Sequence, residues 1–406
     1  MNITIICPHF APDTAPTGDV MTRLVGEFSR LGHCMHVVTT LPWYRNHSVE
    51  PQWRGKWIRR ERTDWGRITR IHPFASPDRI NLLSRAVGFL TFAFVAALAS
   101  VFAPRTDLIL IMSPPLTLAP AGWIASKRHR CPLIVNVQDV YPDAAVATGT
   151  LTDNRIVKFL RSVELFSYAR SDAVVVLSDD VRKTVAARMS DEEKLRVIPN
   201  FVDTEFLYPS ERNNSYRREL GLTDETIVMY AGNIGFSQPL ELVVEAARQF
   251  RDRDDVMFVV NGNGSRRKHF EAETEDLPNV TFTDYQPRER LNEVLAAGDV
   301  HLVPLLPDMA SISVPSKIYS VLAAGRPVLA SVDPGTEIDL VVTRSGAGRS
   351  VPAGDNQAFL DALSALIDDP NGRAAAGFEA RRFAEAWLSA EAVADSYNEL
   401  FSQLQR

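Results

Sequence analysis

Asn2-Ile-Thr-Ile-Ile-Cys7, a loop from Pro8 to Thr17 with three prolines, Gly18, an apolar face of Met21, Leu24, Val25 and Phe28, a stop at Gly32, and then His36-Val-Val-Thr-Thr40 decide the fold. The first run is short, apolar and β-branched. The second has the i, i+3, i+4, i+7 spacing of an amphipathic helix and ends at a glycine. The third is again a strand. Strand, glycine-opened helix and strand make a βαβ unit, which implies a parallel sheet with its ligand edge at the C-terminal strand ends.

The same alternation runs outward along the chain. Further strands are expected at 107–112, 133–137 and 173–177, with a helix over 154–170. Val197-Ile-Pro-Asn-Phe-Val-Asp203 leads out of this series. After a polar stretch at 210–218 a second series begins, with strands at 226–231, 256–260, 280–283, 300–304 and 327–331. A chain of 406 residues exceeds one hydrophobic core. The expected fold is therefore α/β, with two Rossmann-like domains at 1–202 and 203–387. The last helical pattern, within 388–406, is expected to pack back on the first.

Residues 1–202 carry 25 Lys/Arg against 18 Asp/Glu, whereas residues 203–406 carry 19 against 32. A basic first half suits an anionic surface or substrate, and an acidic second half argues against nucleic acid. Cys7, Cys34 and Cys131 lack metal-ligand spacing and read as reduced core residues of a cytoplasmic protein. Polar and charged residues from His9 to Asp13 interrupt any leader-like apolar run.

Two stretches of the first half differ from the rest. Residues 43–70 hold Trp43, Trp53, Trp57 and Trp65 among eight Lys/Arg, including Arg59 and Arg60. That mixture reads either as an interface for an acceptor sugar or lipid headgroups, or as an insertion whose indoles pack on the domain. Residues 86–104 contain no charge and just reach spanning length. A strand follows at once, so a span would tear the sheet apart. The expectation is a helix packed on the sheet with part of its apolar surface dipped into one leaflet, the alternative being full burial.

In the second half the chemistry sits in loops after strands. Gly232-Asn-Ile-Gly235 follows one strand and Asn261-Gly-Asn-Gly264 the next, where glycines permit close backbone approach to a ligand. Arg266, Arg267 and Lys268 stand behind the second loop, and as a charge run they read first as solvated. Tyr285 and Gln286 follow the third strand, placed for stacking and hydrogen bonding to a base. Val314-Pro-Ser-Lys317 leads into a helix ended by Gly325-Arg-Pro327. Unpaired N–H groups, Ser316 and Lys317 at that start suit a phosphate; the plain alternative is an αβ unit with Lys317 in solvent. Asp252-Arg-Asp254 precedes a strand and reads as surface. No metal-ligand cluster, Walker loop or Ser-centred elbow is evident.

Taken in order, these motifs resemble family-4 glycosyltransferases of the GT-B fold over essentially the whole chain. The resemblance rests on the Pro-rich loop with Gly18, Ser113-Pro-Pro-Leu116, Ile198-Pro-Asn-Phe-Val-Asp203, Gly232 to Gly235, Asn261 to Gly264, and Val314 through Pro327. It looks closest to the branch that builds O-antigen, capsule and colanic-acid sugars, including L-fucosamine-type transferases. It implies two Rossmann-like domains facing a cleft, a nucleoside-diphosphate sugar bound mainly by the second, and an acceptor, lipid-linked in this branch, held by the first. Retention of anomeric configuration is implied too. Where family members commonly place Arg and Lys on the diphosphate, this chain has Asn233 and Gln238; where they place paired glutamates, it has Ile312 and Ser320.

The expected donor set is thus Gly18, Asn233, Ile234, Gln238, Gly262, Asn263, Gly264, Tyr285, Gln286, Val314, Pro315, Ser316, Lys317 and Ser320. Lys317 and Asp139 are the expected catalytic residues, the lysine on the leaving phosphate and the aspartate on donor sugar or acceptor hydroxyl. Trp43, Trp53, Trp57, Arg59 and Arg60 are assigned to acceptor or membrane. No metal or other cofactor is expected, and the protein is placed at the inner face of the cell membrane. A nucleotide-sugar epimerase of the same architecture, and an inactive sugar-nucleotide-binding relative, are the competing readings.

Overall fold

A computed structural model describes every residue except 14, 45–47, 74–81, 148–150, 236–237, 308, 310–316 and 406, and leaves the side chains of 16, 82–87, 144 and 147 undescribed. The chain divides into two compact units, Met1–Asn200 with Val393–Arg406, and Phe201–Ala392.

The first unit is built on eight strands: β1 (Asn2–Ile6), β2 (Cys34–Thr40), β3 (Ile58–Thr63), β4 (Gly66–Ile71), β5 (Leu108–Ser113), β6 (Leu133–Val137), β7 (Ala173–Val176) and β8 (Leu195–Val197). They lie in the order β3-β4-β2-β1-β5-β6-β7-β8. All pairs are parallel except β3 with β4. Central strands such as β5 are buried along their whole length, as expected where both faces are covered. Its helices are α1 (Pro16–Arg30), α2 (Leu82–Val101), α3 (Leu118–His129), α4 (Asp143–Ala147), α5 (Asn154–Arg170) and α6 (Asp179–Ala186).

The second unit carries α7 (Ser215–Glu219), α8 (Glu241–Gln249), α9 (Arg267–Glu273), α10 (Leu291–Ala297), α11 (Lys317–Ala323), α12 (Glu337–Ser345), α13 (Asn356–Ile367) and α14 (Pro370–Trp387). Its strands are β9 (Thr226–Ala231), β10 (Val256–Asn261), β11 (Val280–Thr283), β12 (Val300–Pro304), β13 (Val328–Val332) and β14 (Gly348–Pro352). The sheet is wholly parallel, in the order β11-β10-β9-β12-β13-β14. The final helix, α15 (Ala390–Leu404), seats Tyr397 and Phe401 against Phe28 of the first unit. The Tyr397 hydroxyl also accepts a hydrogen bond from Asn136 Nδ2.

Two departures from the sequence expectation matter. Residues 58–71 are not a loose insertion but a hairpin, β3–β4, that extends the sheet edge beyond β2. β8 and β14 are edge strands absent from the expected set. Helix α2, as expected, packs one face on the sheet and leaves another uncovered: it buries Phe92, Ala93, Ala96 and Ser100 and leaves Leu90, Phe94 and Leu98 exposed, with Phe102 exposed just beyond its end. Among the described residues no helix is long and apolar enough to cross a membrane.

Candidate functional site

In doubly wound sheets ligands collect where the strand order reverses. In the second unit that point lies between β9 and β12, and the chain leaving β9 is Gly232–Gly235. Parallel pairing does not stop at the strand ends. Gly232 N donates to Asn261 O (2.9 Å), Ile234 N to Asn263 O (2.9 Å), and Gly262 N to Thr283 O (2.9 Å). A Cβ on Gly262 would stand 1.9 Å from Gly232 O, and one on Gly264 2.2 Å from Ile234 O. These two glycines therefore serve loop-on-loop packing rather than approach to a ligand. Gly262 also has φ +150°, a conformation that L side chains rarely adopt.

Lys317, the first residue of α11, lies over this platform. Its Nζ is 3.8 Å from the centre of the Tyr230 ring, and a Cβ on Gly232 would meet that Nζ at 3.9 Å. Part of the stem is exposed, but the ammonium is shut off from solvent and has no hydrogen-bond partner among the described residues. Burial alone pulls its pKa down to about 7. Buried cations are ordinarily paired. Nearby, Gln238 Oε1 is also buried without a partner among the described residues, and it flanks Gly235 together with the Asn233 amide. Two orphaned polar atoms bordering one loop describe a site that an anion with a hydrogen-bond donor would complete. Tyr285, 56% exposed, stands close enough to Tyr230 to help burial hold that phenol above its usual range.

At the first unit's switch point, between β1 and β5, is a group that sequence reasoning missed. His9 Nδ1 is 2.7 Å from Asp13 Oδ2, and Asp13 Oδ1 accepts from Tyr44 N at 3.0 Å. The Asp13 side chain is wholly buried. The imidazole stacks on Trp43 and meets Tyr44 edge-on. A Cβ on Gly18 would come 3.0 Å from His9 Cβ, so that glycine lets α1 begin beneath the histidine loop. The available signal was a His and an Asp four residues apart at a strand end, followed after β2 by two aromatics. Asp139, after β6, sits at the exposed rim, yet partial burial raises its carboxyl pKa.

The chain matches two family models in succession, the glycosyl transferase 4-like domain over residues 17–200 and the glycosyl transferases group 1 over residues 225–369. It belongs to the family-4 glycosyltransferases. Similar proteins include WcaI of Escherichia coli (strain K12), named for colanic acid biosynthesis, at 25% identity over 83% of this chain and 85% of WcaI. The glycosyltransferase WbjE of Pseudomonas aeruginosa is 28% identical over 73% of this chain and 74% of its own. Among solved structures, Anabaena HepE in complex with UDP-glucose superposes over the full length of both chains, with TM-score 0.65 and 16% identity. The fold is GT-B.

Several residues assigned from sequence stand elsewhere in this glycosyltransferase. Ile234 is fully buried in the core of its unit, and its N–H and carbonyl are taken by Asn263 O and Arg266 N, so it serves the loop packing rather than a ligand. Asn263 uses its Oδ1 on Gly264 N, and Gln286 is tied to Asp284 O and Arg290. Arg266 pairs with Glu241, while Arg267 is held by Glu271 and Asp284, so neither is a spare phosphate ligand. Ser320 is half-buried one turn along α11 from Lys317. Val314, Pro315 and Ser316, with Ile312, lie outside the described residues. Trp53 is buried beneath the guanidinium groups of Arg59 and Arg70, which removes it from any acceptor or membrane surface, and Arg59 is paired with Glu61. Trp57 and Arg60 are exposed. Asp252 and Asp254 occupy the turn before β10, and among the described residues no three metal-capable side chains converge.

Proposed function

We propose that this glycosyltransferase moves a sugar from a nucleoside-diphosphate sugar to a lipid-linked saccharide acceptor, with retention and without a metal ion, during cell-surface polysaccharide assembly at an anionic membrane surface. The observation that carries the donor class is the buried Lys317 ammonium on the Gly232–Gly235 platform, unpartnered among the described residues. A diphosphate supplies the counter-charge that this cation lacks. As the sugar departs, negative charge grows on the leaving phosphate. Lys317 and the loop's polar groups are then fixed donors aimed where that charge develops. On the first unit, His9 held by Asp13 and the raised carboxyl of Asp139 are the two groups able to carry a proton of the acceptor hydroxyl. The names of WcaI and of HepE's bound UDP-glucose support the polysaccharide and sugar-nucleotide parts of this reading.

The test is titration calorimetry of the purified chain with nucleoside diphosphates in EDTA, followed by turnover with the matching sugar donors. Binding of one diphosphate with metal removed, and loss of turnover by ~10²-fold in Lys317→Ala, are expected. Wild-type turnover in Lys317→Ala, or binding only after Mg²⁺ or Mn²⁺ is restored, would overturn the assignment.

A further inference from the structure

The β3–β4 hairpin and the C-terminal half of α2 enclose a groove of about 1000 Å³ in the first unit, and its two walls differ in chemistry. One wall is α2 and the turn that follows it, with Val95, Leu98 and Phe102; Leu98 is 44% and Phe102 82% exposed. The other is the overhanging sheet, where Arg62 lies directly opposite Arg67, and Arg67 lies beside His36 of β2. Residues opposed in register share a face. Arg60, two residues from Arg62 on the same strand, points the same way, about 6.5 Å along. All three arginines are exposed and line the groove.

No carboxylate pairs with Arg60, Arg62 or Arg67 among the described residues. Glu61, the acid bordering the groove, is engaged by Arg70 and Arg59. His36 gives its Nε2 to a hydrogen bond with Thr69, and burial, with Arg67 and Arg60 nearby, lowers its pKa to about 4, so it adds no charge near neutrality. Like charges directly opposed across strands are destabilising. The arrangement is relieved by an anion seated between them. A free phosphate would satisfy the arginines and leave the helix wall bare. A nucleic acid would have no use for that wall either. The molecule that complements both walls has a phosphate at one end and a hydrocarbon chain at the other.

We propose that this groove holds one anionic phospholipid of a bilayer leaflet, its phosphate among Arg60, Arg62 and Arg67 and an acyl chain along Val95, Leu98 and Phe102. The site is separate from the Lys317 platform, and it rests on the membrane-surface part of the proposed function. Leu90 and Phe94 continue the exposed line of α2, and Trp57, 69% exposed, precedes Ile58 at the end of the groove away from the hairpin turn. They would enter the same leaflet.

The experiment uses the full chain and two vesicles, phosphatidylcholine alone and an equimolar mixture with phosphatidylglycerol, some of it carrying a photoactivatable acyl chain. Wild type is expected to sediment with the mixture and to be photolabelled within 95–104. The triple variant R60Q/R62Q/R67Q should lose about 10²-fold in partitioning, at roughly fivefold per basic residue, and most of its salt dependence. Leu98→Glu, which keeps the arginines, should lose the photolabel. Circular dichroism melts of both variants exclude unfolding. Undiminished sedimentation of the triple variant, or label outside the groove, would overturn the lipid site while leaving membrane association standing. Failure of wild type to bind either vesicle would overturn both.

Discussion

At the scale of single residues, the Lys317 ammonium is enclosed, which sets aside the plain alternative of a lysine in solvent. Its pKa near 7 makes donor binding pH-dependent. A bound diphosphate favours the protonated lysine, so binding takes up a proton above pH 7 and weakens as pH rises. Affinity for a nucleoside diphosphate should fall about tenfold between pH 7.5 and pH 8.5, and Lys317→Arg should flatten that slope, since arginine stays charged. Calorimetry in buffers of different ionisation enthalpy reads the proton directly. For stability the sign is opposite. A lysine depressed from 10.5 destabilises the fold at pH values below 10.5, by an amount that grows as pH falls toward 7, so Lys317→Met should melt no lower than wild type at pH 7. The two groups placed to carry the proton separate by substitution. If His9 carries the acceptor proton, His9→Gln lowers turnover with donor binding unchanged and Asp139→Asn does not. The reverse result assigns the role to Asp139.

At the scale of elements, the legible parts were those whose burial is uniform. β1, β5, β6, β9, β10 and β12 are buried nearly throughout and dominated by apolar residues because a parallel sheet is covered on both faces. β3 was hidden because edge strands carry charge, and Ile58-Arg-Arg-Glu-Arg-Thr63 reads as polar surface until β4 pairs with it. The glycine loops were legible as residue types but not as a pair. That Gly262 faces the carbonyl of Gly232 depends on the register of β9 with β10, which no local pattern states. Trp53 was misplaced for a similar reason. A Trp among arginines looks like an interface, and only the fold shows Arg59 and Arg70 stacked on its own indole. The loop zipper makes its own prediction. Gly262→Ala forces a Cβ into a backbone oxygen at a left-handed φ and should cost about 2 kcal/mol or more in urea unfolding, with weakened diphosphate binding. A Gly264→Ala variant should behave alike, whereas Gly335→Ala, whose Cβ meets nothing within 4 Å, should show only the smaller left-handed cost.

At the scale of the whole molecule, the first unit is made from two separated pieces of chain. Helix α15 supplies Val393, Ala394, Tyr397, Leu400 and Phe401, each at most 3% exposed, to a unit whose remaining residues lie within the first 200. Residues 1–200 expressed alone should therefore be aggregation-prone, and the same segment joined through a flexible linker to 389–406 should recover a cooperative melt. The discontinuity also orders events at the ribosome. At 5–20 residues per second, the roughly 190 residues of the second unit take about 10–40 s to emerge while the first unit waits without its last helix. Domains commonly mature from the N-terminus onward, but here the second unit is the first whose sequence is complete, and a chaperone guarding the nascent chain would find its client in the unit synthesised earliest.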